Sequence, residues 1–176
     1  MEGVKFFEGQ NVLLDDMEAL QSALETQIAD RTRYIFTPGI VRGISGYDTD
    51  PYVVLGTATN SIKVLKFIAY DSNGELVKVT TDLDNLKPDG SGALVSVGGS
   101  WVVSETYSIV ARYAEVDDTQ AEHPETHVLY DTRKHDSYTL HAITTTPLTA
   151  DIVLAQVVTD SGGVPAITTV GYTDLS

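Results

Sequence analysis

The 176-residue chain contains no cysteine. Disulfides, thiolate metal sites and cysteine nucleophiles are therefore excluded. It is also poor in positive charge: 11 lysines and arginines stand against 25 aspartates and glutamates, a formal net charge of −14. Non-specific nucleic-acid binding and attraction to an anionic membrane both depend on Lys and Arg, so neither is expected. A cationic partner surface fits this balance, and so does simple solubility. No apolar run approaches the roughly 20 residues that span a bilayer, and no membrane insertion is expected. The opening MEGVKFFEGQNVLLDD has no basic segment leading into an apolar one, so no signal peptide is expected. There is no GxSxG nucleophile elbow and no GxxxxGK[ST] phosphate loop. GSGALVSVGG is glycine-rich, but it lacks the lysine and a following helix. No cofactor is implied.

What is present is a folded composition, 42% apolar and 20% charged, in a length that fits one domain with a core, alone or with a small appendage. From Asp16 to about Phe36 there is neither Gly nor Pro. Apolar residues fall at Met17, Leu20, Leu24, Ile28 and Ile35, spacings of three, four and seven that share one helical stripe. The pattern predicts a helix roughly 30 Å long. Asp15 or Asp16 is its expected N-cap, and Arg31 and Arg33 lie where the carbonyl end of the dipole favours cations. Pro38 and Gly39 end it. Before it, residues 1–14 read as a short strand and an extended arm.

The remainder reads as strands, predicted at 40–44, 52–58, 61–70, 75–81, 93–97, 100–104, 106–114, 126–131, 137–143, 151–159 and 164–170. SNG at 72–74 and SGG at 161–163 predict hairpin turns, and DLDNLKPDGSG at 82–92 predicts a loop. YSIVARY alternates with period two: Tyr107, Ile109, Ala111 and Tyr113 on one face, Ser108 and Arg112 on the other. DIVLAQVV is apolar on both faces, as a covered central strand would be. The expected fold is mainly β with one long N-terminal α-helix, the β part a sandwich or barrel-like domain. Residues 1–39 would be an arm and helix for oligomerisation or attachment, and 40–176 the β-sandwich-like domain.

Candidate chemistry is sparse. His123 and His127 in HPETH are four apart, a zinc spacing on a helix, but Pro124 and acidic, turn-prone neighbours make a polar loop the stronger expectation. His135 and His141 complete the histidines. The acidic pairs Asp48/Asp50, Asp82/Asp84 and Asp117/Asp118 would suit calcium or a glycosidase acid and base, yet none matches the twelve-residue calcium loop. Solvated loop charge is the expected role, and no enzyme is expected. Trp101, the lone tryptophan, is read as core, with a glycan platform as the alternative. Met17, Leu20, Leu24, Arg31 and Ile35 also fit a heptad seam, so the helix packs either on copies of itself or on its own β domain.

The order of elements carries a resemblance. FFEGQNVLLDDMEALQ leads into the helix, RTRYIFTPGIVRGISG joins it to the strands, and YSIVARY, SYTLHAI and DIVLAQVVTDSGG follow. This resembles tail and baseplate proteins of tailed bacteriophages, especially the N-terminal attachment portions of tail fibres. The similarity spans most of the chain through short, degenerate motifs. It implies a virion structural protein made in the bacterial cytoplasm. Such a protein connects a tail or baseplate to an appendage through other tail proteins and a homo-oligomer, often a trimer. A fibre's shaft and receptor-binding tip do not fit in 176 residues. The expectation is therefore a small baseplate component or adaptor, or an N-terminal portion. The interface residues expected on this reading are Met17, Leu20, Leu24, Ile28, Arg31, Ile35 and Arg42. Arg42 sits on a glycine-flanked joint, and Arg31 lies on the apolar stripe.

Overall fold

The computed structural model describes residues 14–35, 38–47, 50–122 and 129–168; at 14–16, 117–122 and 129–135 it describes backbone alone. Among the described residues one helix, α1 (Leu14–Ile35), precedes eleven strands. It already includes Asp15 and Asp16, so neither is its N-cap. The strands are β1 (Gly39–Ile40), β2 (Val53–Leu55), β3 (Ile62–Val64), β4 (Phe67–Tyr70), β5 (Leu76–Val79) and β6 (Leu83–Pro88), then β7 (Leu94–Val95), β8 (Thr106–Glu122), β9 (Leu129–Ile143), β10 (Ile152–Thr159) and β11 (Pro165–Thr168). They form three antiparallel sheets, ordered β1-β4-β5, β2-β3-β6-β7 and β11-β10-β8-β9. All three orders are open, and among the described residues no sheet closes into a barrel.

One apolar core joins the sheets. Ile40, Tyr52, Ile62, Phe67, Val77, Ile109, Leu154 and Val157 are each no more than 1% exposed. Tyr52 meets Phe67 edge-on, with ring centroids 6.1 Å apart. The alternation expected in β8 is present: Tyr107, Ile109 and Ala111 enter the core. β10 lies between β11 and β8, and a register shift between Val153 and Ala155 lets Leu154 and Ala155 both be buried.

Four expectations are corrected. The single strand at 61–70 is two, in different sheets. Burial falls on Ile62 and Val64, then slips phase to Phe67 and Ala69. At the slip, Leu65 N–H donates to the Tyr52 carbonyl and Lys66 N–H to Asp82 Oδ1. The loop at 82–92 contains β6, because Asp84 and Asn85 spend their polar side chains on the β2–β3 loop and sit at a bulge opposite β3. Residues 100–104 are loop. The expected strands at 126–131 and 137–143 belong to one long strand over the described part, and 126–128 lie outside the described residues.

Three tight hairpins share one construction. In DSNGE (71–75), DGSGA (89–93) and DSGGV (160–164), the Asp Oδ1 accepts the N–H groups two and four residues on, at 2.8–2.9 Å. The fourth residue is a glycine with φ of 86°, 87° and 73° respectively.

Candidate functional site

α1 is 22 residues long, roughly 33 Å at 1.5 Å per residue. At 100° per residue, Ser22, Glu25, Thr26, Ala29 and Thr32 gather on one side. With Tyr70, Gly74, Leu76 and Tyr113 they line a slot of about 430 Å³ between helix and sheet. The tightest approach is at Gly74: a Cβ there would lie 2.2 Å from the Ala29 carbonyl oxygen and 3.0 Å from the Arg33 nitrogen. The docked face is thus small and polar, and the DSNGE hairpin is what it rests on.

The slot is acidic, lined by Glu25, Glu75, Glu115 and Asp136. Burial pushes the Glu75 carboxyl above the ordinary glutamate value, and the charges of Asp71, Asp136, Glu115 and Glu25 push it further the same way. Tyr113 Oη donates to Asp136 Oδ1 at 2.9 Å, and burial together with that carboxylate raises the phenol. Like charges therefore meet where the helix docks.

The apolar stripe faces elsewhere. Met17, Leu24, Ile28 and Ile35 are 53%, 52%, 66% and 72% exposed; Ile28 also contributes to the rim of the slot. Arg31 is exposed on the same stripe, while Leu20 is half-buried. The exposed residues Met17, Gln21, Leu24, Ile28, Arg31 and Ile35 are spaced four, three, four, three, four. That is heptad spacing, with Gln21 and Arg31 at its polar positions. Gln21 escapes a search for apolar residues alone, and the unbroken four-three spacing through it is the signal that finds it. Gly74, Ala29 and Thr32 carry no signal in the sequence, because docking uses a small, polar face beside the apolar stripe.

Arg42 lies on the joint. Its Nη2 donates to Asp50 Oδ2 at 3.2 Å and its guanidinium stands 5.5 Å from the Tyr52 ring centroid. The joint is tied into the sheet directly after the helix: Gly39 pairs with Tyr70, Ile40 with Ala69, and Val41 N–H donates to the Ile68 carbonyl.

The chemical candidates have structural work. Trp101 is 8% exposed, donates its indole N–H to the Asn60 carbonyl at 2.8 Å and packs edge-on against Tyr107. Its ring is not presented as a glycan platform. Asp82 accepts from Lys63 at 3.0 Å and from Lys66 N–H, which hold it below the usual carboxylate range. Asp84 accepts from Thr57 N–H and Thr57 Oγ1 and is lowered likewise. Side chains of Asp117, Asp118 and His135, and all of Asp48, His123 and His127, lie outside the described residues. His141 is half-buried beside Thr139, and burial lowers its imidazole. Among the described residues no group of three His, Asp or Glu is placed to hold a metal, and no helix is long and apolar enough to cross a membrane.

A second cavity, about 490 Å³, lies where Gly39, Tyr70 and Asp71 meet Ser108 and Asp151. Arg112 Nε and Nη2 grip the Asp151 carboxylate at 2.6 and 3.1 Å, and Leu148 N–H adds a third bond at 2.8 Å. Burial pushes Asp151 up, but these donors outweigh it and hold it low.

No protein-family model and no curated protein matches the chain. Among solved structures, one similar chain belongs to the type VI secretion system TssK-TssF-TssG baseplate subcomplex, with a TM-score of 0.48 and 11% identity over 96% of this chain and 60% of that one. Another belongs to the baseplate complex from the type VI secretion system, with a TM-score of 0.47 and 12% identity over 96% and 58%. The present chain thus spans about three fifths of the length of those chains. Likeness at this level carries no functional assignment.

Proposed function

We propose that the protein is a structural, non-enzymatic component of a phage-type tail or baseplate, which holds its neighbours by protein–protein contacts. α1 is the attachment element within 1–39, and the three sheets of 40–176, stacked in sandwich fashion, are the rigid body. One observation carries the assembly part: α1 turns a small polar face to its own body and its apolar, heptad-spaced stripe to solvent. A surface helix ordinarily buries that stripe in its own core. Burying a Leu, Ile or Met side chain contributes roughly 1.5–3 kcal/mol, and here that gain is left for association. The setting, a virion made in a bacterial cytoplasm with other tail proteins as partners, rests on the sequence resemblance. The homo-oligomer follows from the seam, with Met17, Leu24, Ile28, Arg31 and Ile35 at its centre and Arg42 bracing the joint.

Sedimentation of the purified chain against concentration, with capture of co-expressed tail and baseplate proteins, tests the reading. Reversible self-association and a stoichiometric tail partner are the expected results. A monomer at high concentration that captures no tail protein sinks it.

A further inference from the structure

Resting on that reading, we infer that the stripe of α1 pairs with the same stripe of one second copy, running antiparallel about Thr26. The seam reads apolar, polar, apolar, apolar, polar, apolar: Met17, Gln21, Leu24, Ile28, Arg31, Ile35. Both this pattern and its four-three-four-three-four spacing are the same read from either end. Laid antiparallel, Met17 faces the partner's Ile35, Leu24 faces the partner's Ile28, and Gln21 faces the partner's Arg31. A twofold axis makes each pairing twice. Every apolar position meets an apolar one and every polar position a polar one.

Charge selects the same orientation. Glu18 and Glu25 flank Gln21 at three residues before and four after, so they lie one turn to either side of it. The partner's Arg31 therefore arrives between two carboxylates. Gln21 Nε2 already donates to Glu25 Oε1 at 2.7 Å, which leaves the amide oxygen to accept from a guanidinium. The acids Asp15, Asp16 and Glu18 crowd one end of α1, and Arg31 and Arg33 the other. Parallel packing, in a pair or a trimer, would instead stack Arg31 on the partner's Arg31, acid end on acid end, and desolvate like charges. The trimer suggested by the resemblance is thus disfavoured by the seam itself. Of the stripe residues only Ile28 also lines the slot, so a second helix reaches the other five without entering the space between α1 and its own sheet.

The absence of native cysteine makes the test direct. Met17→Cys and Ile35→Cys chains are prepared separately, mixed and mildly oxidised. In the antiparallel pair, position 17 lies near the partner's 35, but the two copies of position 17 are 18 residues apart along the seam, roughly 27 Å. A disulfide needs Cα atoms within about 7 Å. The expected result is a mixed disulfide dimer, little cross-linking of either variant alone, and a dimer mass by sedimentation. Self-cross-linking of each variant alone, a threefold mass, or a dimer without the mixed disulfide overturns the orientation and leaves the assembly reading standing. A monomer overturns the pairing, and a monomer that also captures no tail protein overturns the assembly reading as well. As a variant that leaves the apolar seam intact, Arg31→Glu is expected to weaken dimerisation at low salt about tenfold or more, and a Glu18→Arg/Glu25→Arg chain to restore it on mixing. Unchanged affinity in Arg31→Glu overturns the pairing of Arg31 with the acidic turn.

Discussion

The β body and α1 place their apolar residues by opposite rules. In the body, Phe67, Ile109 and Leu154 are 0% exposed and touch one another through a shared core. In α1, Ile28 and Ile35 are mostly exposed, and the face turned to the body is made of Ser, Thr, Ala and acid. The body's apolar surface is removed from water when the chain folds, while the helix's stripe stays in contact with water in the folded chain. The same residue types therefore report on stability in one region and on association in the other.

The strongest way to break this contrast is from the body. Phe67→Ala should cost about 3–5 kcal/mol, read by urea unfolding, because it empties a closed site; a cost below 1 kcal/mol would place Phe67 outside any real core. Next comes the mounting. Gly74→Ala puts a Cβ against the Ala29 carbonyl at a positive φ, and should cost about 1–3 kcal/mol. The loss should appear first as faster hydrogen exchange in α1 than in the sheets; equal acceleration everywhere would mean the helix and body open as one unit. Smaller still, Leu24→Ser/Ile28→Ser should alter unfolding of the monomer by no more than about 0.5 kcal/mol while self-association is lost. A large drop in monomer stability would show that the stripe belongs to the fold.

The smallest effect concerns the acidic slot. The Glu75 pKa is raised in the folded state, so the proton bound there favours folding. That contribution is present at pH values below the ordinary glutamate range and is lost as pH rises through the raised value. Glu75→Gln should therefore flatten the pH dependence of stability between the ordinary glutamate pKa of 4.5 and neutrality, with a small gain at pH 7. An unchanged profile in thermal melts would take Glu75 out of the slot's electrostatics.

Much of this was legible from residues. The absence of Gly and Pro between Asp16 and Phe36 sufficed for the helix, since three-and-four spacing and uninterrupted propensity agree there. SNG and SGG predicted hairpins because Gly74 and Gly163 supply the positive φ their turns need. The aspartate three residues before each glycine was the stronger, unread signal, and it recurs at Asp89. One failure has a plain cause. Asp84 and Asn85 look like loop residues because their side chains compete with backbone pairing, yet here they bond Thr57 and Ala58 across the sheet. Arg42, likewise, is met by Asp50 and Tyr52 at the joint, partners that its type alone does not name. A polar residue's type does not say which distant segment will satisfy it. For α1 the limit was different: periodicity says which residues share a face, but not what covers that face.

The short clip that follows α1 bears on mechanics. β1 lies beside β4, the middle strand of its sheet, and its bonds run from Gly39 through Val41. A pull on the helix directed along β1 loads these bonds in shear, together, while a pull across the sheet peels them one after another. The helix is thus a handle whose grip depends on the direction of the force.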